Sequence, residues 1–224
     1  MMGGADRCLV SARELLDFAQ VPNGAGACLD LGCGAGFHAR ALAERRMQVV
    51  AVDSSAELLD ELESVCAGLD VQAVSGDLTD LSRFASRGPF AAILCVGDTL
   101  THLGSHTAVD DLIRDSAKLL APDGMLVLEY REQPATMSAN DSVFTVRSER
   151  DRIMQCVLHF EPDRVWVTDV VHEWNGQAWQ TLKSTYPKLR LATADLVARA
   201  DDAGLRVRVN EVRAGRRVLT LSRQ

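Results

Sequence analysis

The sequence has little basic charge and few aromatic residues. Lys and Arg number 24 against 31 Asp and Glu, for a formal net charge of -7, and aromatics make up 5% of 224 residues with only two tyrosines. General phosphate-backbone binding rests on basic patches that release counterions, so nucleic acid is not an expected partner. The one basic concentration, Arg206, Arg208, Arg213, Arg216 and Arg217, reads as the solvated face of a terminal hairpin. Long apolar runs are missing too. The longest, Phe90 to Val96, has seven residues, whereas a membrane-spanning helix needs about 20. Met1 to Arg7 lacks the basic flank and apolar stretch of a secretory signal. The expectation is therefore a cytoplasmic protein without a membrane partner. Six cysteines form no CxxC pair and read as reduced, mostly buried thiols. No His/Cys/Asp cluster has metal-ligand spacing, so no metal is expected.

What is present is an ordinary globular composition, 47% apolar and 25% charged, enough to bury one substantial core over residues 1–224. Ser11-Ala12-Arg13-Glu14 has capping-box spacing and predicts a short leading helix. From Ala27, compact apolar strands alternate with amphipathic helices, the pattern of a parallel sheet covered on both faces. Strands are expected at Cys28 to Leu31, Gln48 to Val52, Val71 to Val74, Phe90 to Val96 and Met125 to Tyr130. Helices are expected at Phe37 to Arg46, Ala56 to Ala67 and Ala108 to Leu120, with a short one near Leu81. Ser142 to Tyr186 reads instead as antiparallel ribbon, with turns at Glu161-Pro162-Asp163 and Asn175-Gly176. It makes residues 132–190 an insertion, with Trp166, Trp174 and Trp179 on its apolar face. A helix capped by Thr193 and two strands, Leu205 to Val212 and Val218 to Ser222, close the chain.

The chemistry begins at Asp30-Leu31-Gly32-Cys33-Gly34-Ala35-Gly36, where a glycine-rich turn joins the first strand to a helix. Glycines there let backbone N–H groups approach a ligand that a Cβ would push away. The dinucleotide fingerprint GxGxxG would need a third glycine where Phe37 stands, so a nicotinamide enzyme is a mismatched alternative. Asp53 ends the second strand, where a carboxylate can accept both ribose hydroxyls. Asp77, in Ser75-Gly76-Asp77-Leu78, ends the third, within reach of an exocyclic adenine amine. Each acid alone also reads as a turn former. The ordered set at carboxyl ends of neighbouring strands marks the crevice where open α/β sheets hold ligands.

These segments, with Val50 to Asp53, Ala91 to Val96 and Leu119 to Leu126, resemble the successive motifs of class I S-adenosylmethionine-dependent methyltransferases. The resemblance implies an α/β, Rossmann-like seven-strand mixed sheet with Val218 to Ser222 antiparallel, and an antiparallel β insertion after the fifth strand. It implies S-adenosyl-L-methionine as cofactor. Asp30, Gly32, Cys33, Gly34 and Gly36 would line the methionine moiety, with His38 near its carboxylate. Asp53 with Ser54 would hold the ribose, and Gly76, Asp77 and Leu78 would meet adenine, with Cys95 completing the set. A narrower resemblance, to glycine and sarcosine N-methyltransferases, is carried by Cys95 to Leu103, by Leu128-Glu129-Tyr130-Arg131, and by Tyr186-Pro187. It implies a small amine or amino-acid acceptor, with Arg131 clamping its carboxylate, Asp98 near its nitrogen, His102 orienting it and Tyr130 and Tyr186 walling the pocket. Asp98 stands where that subgroup usually has asparagine. The segment before the first strand is shorter than in the subgroup, so either the insertion or a second subunit of a homodimer supplies the cover, or the substrate is different and larger. Arg131 reads alternatively as the partner of Glu132 or Glu149. O- or S-methylation and a non-catalytic cofactor sensor stay open as alternatives.

Methyl transfer from a sulfonium is an in-line displacement, so holding the acceptor close and collinear in a water-poor pocket supplies most of the catalysis. An amine must also lose a proton, which a carboxylate such as Asp98 can accept. No Asn/Asp-Pro-Pro-aromatic motif follows strand four, which disfavours a flipped-base substrate.

Overall fold

The computed structural model describes residues 4–133 and 141–223. Positions 134–140 of the expected insertion, and Met1 to Gly3 of the segment read for a leader, lie outside the described residues. Parallel strands β1 (Ala27–Leu31), β2 (Gln48–Asp53), β3 (Val71–Ser75), β4 (Phe90–Cys95) and β5 (Leu120–Tyr130) form most of one sheet. With β10 (Leu205–Arg213) and β11 (Arg216–Arg223) it runs in the order β10-β11-β5-β4-β1-β2-β3. β11 is antiparallel to both β5 and β10, so the seven-strand sheet is mixed. Strand order reverses between β1 and β4, and ligand crevices open at the carboxyl ends beside such a reversal.

The strands read as near-continuous apolar runs because helices cover both faces. Leu29, Leu31, Val52, Ile93 and Leu128 pack on one side with α4 (His106–Leu119) and α5 (Thr193–Asp202). Cys28, Val49, Ala51, Leu94 and Val127 pack on the other with α1 (Gly4–Phe18), α2 (Phe37–Glu44) and α3 (Ala56–Val65). Between β5 and α5 the chain builds a second sheet of four antiparallel strands, β6 (Ser142–Ser148), β7 (Arg152–Phe160), β8 (Arg164–Trp174) and β9 (Trp179–Leu189).

Several local expectations shift. Ser11 is an exposed residue within α1, not its cap, because helical spacing of Leu9, Ala12, Leu15 and Leu16 carries the helix back to Gly4. α4 starts at His106, where the Ser105 hydroxyl accepts from the Ala108 N–H at 3.1 Å. Thr193 is the first residue of α5 and its hydroxyl meets Tyr130 instead of capping. The tryptophans do not build the apolar face of the second sheet, which consists of Cys156, Val165 and Val167 with Leu158, Phe160 and Tyr186. Trp174 and Trp179 flank the hairpin turn, exposed, with ring centroids 5.8 Å apart.

Candidate active site

The glycine loop and the second strand are tied through one carboxylate. Asp53 Oδ2 accepts from the Gly34 N–H and Oδ1 from the Ser55 N–H, each at 2.9 Å. Gly34 has φ 52, and a Cβ there would find no atom of the described residues beyond its chain neighbours within 4 Å, so the position borders open space. Gly36, at φ 84, is glycine for packing: its Cβ would sit 2.6 Å from Leu62 Cγ. After β3, Asp77 Oδ1 accepts from the Thr79 N–H at 2.9 Å, which fixes that turn at the same end of the sheet.

Three cavities adjoin along this crevice. The first, about 720 Å³, takes in Gly32, Asp53, Ser54, Gly76, Asp77 and Leu78, with Thr99, His102 and Leu103 opposite. Gly32 and Thr99 are shared with a second, about 380 Å³, reaching Cys33, Gly34, His38, Glu129, Arg213 and Arg216. Gly97 and Arg216 are shared in turn with a third, about 250 Å³, between the carboxyl ends of β4 and β5 and the second sheet. Nine of the twelve residues expected to meet the cofactor line the first two. Gly36, packed on Leu62, does not, and neither do Asp30 and Cys95, which are fully buried in the sheet. Burial pushes the Cys95 thiol far up, so it is an inert core residue. Neither Asp30 carboxyl oxygen has a hydrogen-bond partner among the described residues, and burial together with the Asp53 charge raises its pKa to about 7.

The second cavity has a zwitterionic lining. Glu129, 5% exposed, accepts the Gly97 N–H on Oε2 at 3.1 Å, with Arg216 Nη1 3.5 Å from the same oxygen. Burial and the charges of Arg216 and Arg213 lower the His38 pKa to about 4, so its imidazole is neutral at pH 7. The terminal basic cluster is thus not simply a solvated face: Arg213 and Arg216 line this cavity, and Arg217 pairs with Glu132 at 2.6 Å. Sequence could not separate them from Arg206 and Arg208, because only the β10–β11 turn decides which arginines reach the crevice.

The third cavity holds Asp98 and Arg131. Asp98 sits at φ 78 right after β4; its Oδ1 accepts from the Arg131 N–H at 2.8 Å and its Oδ2 from Lys188 Nζ at 2.6 Å. The Arg131 side chain has no hydrogen bond or ion pair with any described residue, because Glu132 is held by Arg217 and Glu149 by Arg147. Tyr186 lines the cavity and donates to Asp169 Oδ2 at 2.9 Å. Tyr130 does not wall it. That ring is fully buried in the core and its hydroxyl lies 2.8 Å from Thr193 Oγ1. His102 lines the first cavity instead, its ring 5.4 Å from Tyr186, with burial and Lys188 lowering its pKa. Lys188 and Asp169 are the residues sequence reasoning missed. Both lie on the ribbon, where alternation gives a face but not what it meets.

Residues 28–124 match the family described as Methyltransferase domain. That segment runs from β1 into β5 and is similar to a methyltransferase domain. Over 142 residues it is 34% identical to the cypemycin N-terminal methyltransferase of a Streptomyces species, a match covering 58% of this chain and 57% of that one. A glycine/sarcosine N-methyltransferase from Aphanothece halophytica is 31% identical over 111 residues, 49% of this chain and 42% of the relative. The chain spans about half the length of these curated relatives. In structure, the CcbJ methyltransferase from Streptomyces caelestis superposes with a TM-score of 0.81 at 23% identity, covering 96% of this chain and 90% of that one. CalS10, an amino pentose methyltransferase from Micromonospora echinaspora solved with S-adenosylmethionine bound, gives 0.76 at 20% identity, covering 100% and 92%.

The crevice has the chemistry that S-adenosylmethionine needs. Its first cavity offers carboxylates and apolar side chains suited to a nucleoside. Its second offers open space at Gly34 beside paired arginines and Glu129, suited to an amino-acid zwitterion. No helix among the described residues is long and apolar enough to cross a membrane.

Proposed function

We propose that the protein is an S-adenosylmethionine-dependent methyltransferase acting on the nitrogen of a small amine that also carries a carboxylate. The observation behind this reading is the third cavity, where the Arg131 guanidinium has no hydrogen bond or ion pair among the described residues and shares the lining with the carboxylates Asp98 and Asp169. A guanidinium can pair bidentately with a carboxylate, which a lysine point charge does less well.

In this reading Asp53, Asp77 and Leu78 hold the adenosine, while Glu129, Arg213 and Arg216 hold the amino-acid end. The cofactor supplies an electrophilic methyl group on its sulfonium. Arg131 fixes the acceptor carboxylate and so aims the nitrogen, and proximity of this kind supplies much of the rate. Asp98 meets the acceptor ammonium: each carboxylate oxygen has two acceptor sites, so one per oxygen remains beyond its bonds to Arg131 and Lys188. Before transfer the ammonium must lose a proton, and Asp98 or water through it takes that proton. The second sheet closes the cavity with Val167, Leu158 and Tyr186, limiting water at the reacting centre.

The test is transfer of a labelled methyl group to a panel of amino acids, simple amines, phenols and thiols, alongside calorimetric binding of S-adenosylhomocysteine. The reading expects label on amino acids and not on phenols or thiols. Label on phenols or thiols alone would leave the cofactor assignment standing and discard the nitrogen acceptor.

A further inference from the structure

The two walls of the acceptor cavity differ, because the second sheet brings Asp169, Tyr186 and Lys188 to it but is otherwise apolar. Asp98, Arg131 and Arg216 come from the strand ends of the seven-strand sheet, whereas the wall from the second sheet is mostly apolar: Phe144, Val146, Leu158 and Val167. The apolar wall continues past the cavity. Strand register pairs Phe144 with Cys156 and Cys156 with Asp169; one row further out, Met154 pairs with Val171 and Val171 with Leu182. Side chains two apart on a strand share a face, so Met154, Val171 and Leu182 lie on the same face as Cys156, Asp169 and Tyr186. Phe144 and Val146, two apart on β6, both line the cavity. Phe144, Val146 and Leu182 are 43%, 52% and 60% exposed. A contiguous exposed apolar patch rimmed by polar groups marks an interaction site, ligand grooves among them.

We infer that the acceptor is amphiphilic: a carboxylated amine at the inner end, with an apolar chain extending along Phe144, Val146 and Leu182, larger than glycine or sarcosine. The inference rests on the nitrogen-acceptor reading above for its inner end, and on the sheet face for its outer end. An apolar chain suits this surface because each methylene removed from water there adds affinity, while the charged groups at the floor fix which end enters first.

The test measures calorimetric binding of straight-chain 2-amino acids, from 2-aminobutanoate to 2-aminodecanoate, to the full-length protein saturated with S-adenosylhomocysteine. Affinity is expected to rise about threefold per methylene, the value for nearly complete burial of each. In Phe144→Ser and Leu182→Ser the ratio of long-chain to short-chain affinity should fall at least tenfold for the longest ligand. Both positions are exposed, and the melting temperature checks that each variant folds. A flat series, or a rising one that the variants leave unchanged, overturns the inference. Variants that turn a dimer into a monomer in sedimentation without altering the series would assign the face to a second copy of the chain and overturn it equally. Methyl transfer to the same ligands is read separately: chain-dependent binding without methylation would refute the nitrogen-acceptor reading and keep the apolar seat.

Discussion

Asp53 does two jobs at once, and that makes it the sharpest single-residue probe of the cofactor site. Its carboxylate is the acceptor for the Gly34 and Ser55 N–H groups and also lines the first cavity. Asp53→Ala should therefore weaken S-adenosylhomocysteine binding roughly 10- to 100-fold, the scale of losing charge-assisted hydrogen bonds, and calorimetry would read it; an unchanged affinity would detach Asp53 from the cofactor. Asp30 makes a prediction in pH. Its pKa rises from 3.8 in the open chain to about 7 in the fold, mainly because burial disfavours the charged form. Between those values the unfolded chain has released a proton that the folded chain still holds, so this carboxyl's contribution to stability is complete below pH 4 and is lost as pH rises through 7. Asp30→Asn removes that dependence. Its melting temperature relative to the wild type should climb between pH 4 and 7 and level off above, and a constant offset across that range would contradict the assignment.

At the scale of elements, the second sheet is fastened to the seven-strand sheet by the Lys188–Asp98 pair, whose side chains are 23% and 8% exposed. Lys188→Met leaves the Asp98 carboxylate in a largely dry place without its counter-charge. The expected cost is about 1–3 kcal/mol, below the range for a fully buried pair because Lys188 keeps some water; denaturant unfolding measures it, and no loss would mean the pair is not a fastening. The same pair shows where sequence reading stops. The glycine loop, Asp53 and Asp77 were legible because strand, turn and helix follow one another locally and each motif lies at its own strand end. Lys188 is 90 positions from Asp98; alternation puts it on one face of a ribbon, but only the docking of the ribbon says which carboxylate it meets. Tyr130 failed for a related reason. A strand-end tyrosine can face either side of a sheet, and here the side with Thr193 and α5 is dry core. Thr193 likewise gave up the cap to answer that hydroxyl.

Over the whole molecule, the thiols report packing and occupancy together. Cys28, Cys33, Cys66, Cys95 and Cys156 are buried, with burial lifting Cys28 to about 12 and Cys66 to about 11, whereas Cys8 is exposed and lines the second cavity. A disulfide reagent should therefore titrate one thiol quickly in the native protein and all six after denaturation. S-adenosylhomocysteine should slow the fast one, since the ligand would fill the space beside Cys8. Rapid reaction of several thiols would contradict the packing, and unprotected Cys8 would contradict the placement of the amino-acid end. The proposed reaction joins this cavity to the next one: a methyl group would pass to a nitrogen held by its neighbouring carboxylate on Arg131. The most direct measurement compares kcat/KM for an amino acid that the enzyme methylates with that for the amine lacking only the carboxylate, in the wild type and in Arg131→Ala. A preference for the amino acid of roughly 10- to 100-fold is expected, collapsing in the variant, with S-adenosylhomocysteine affinity retained. A preference that survives the loss of Arg131 would contradict it.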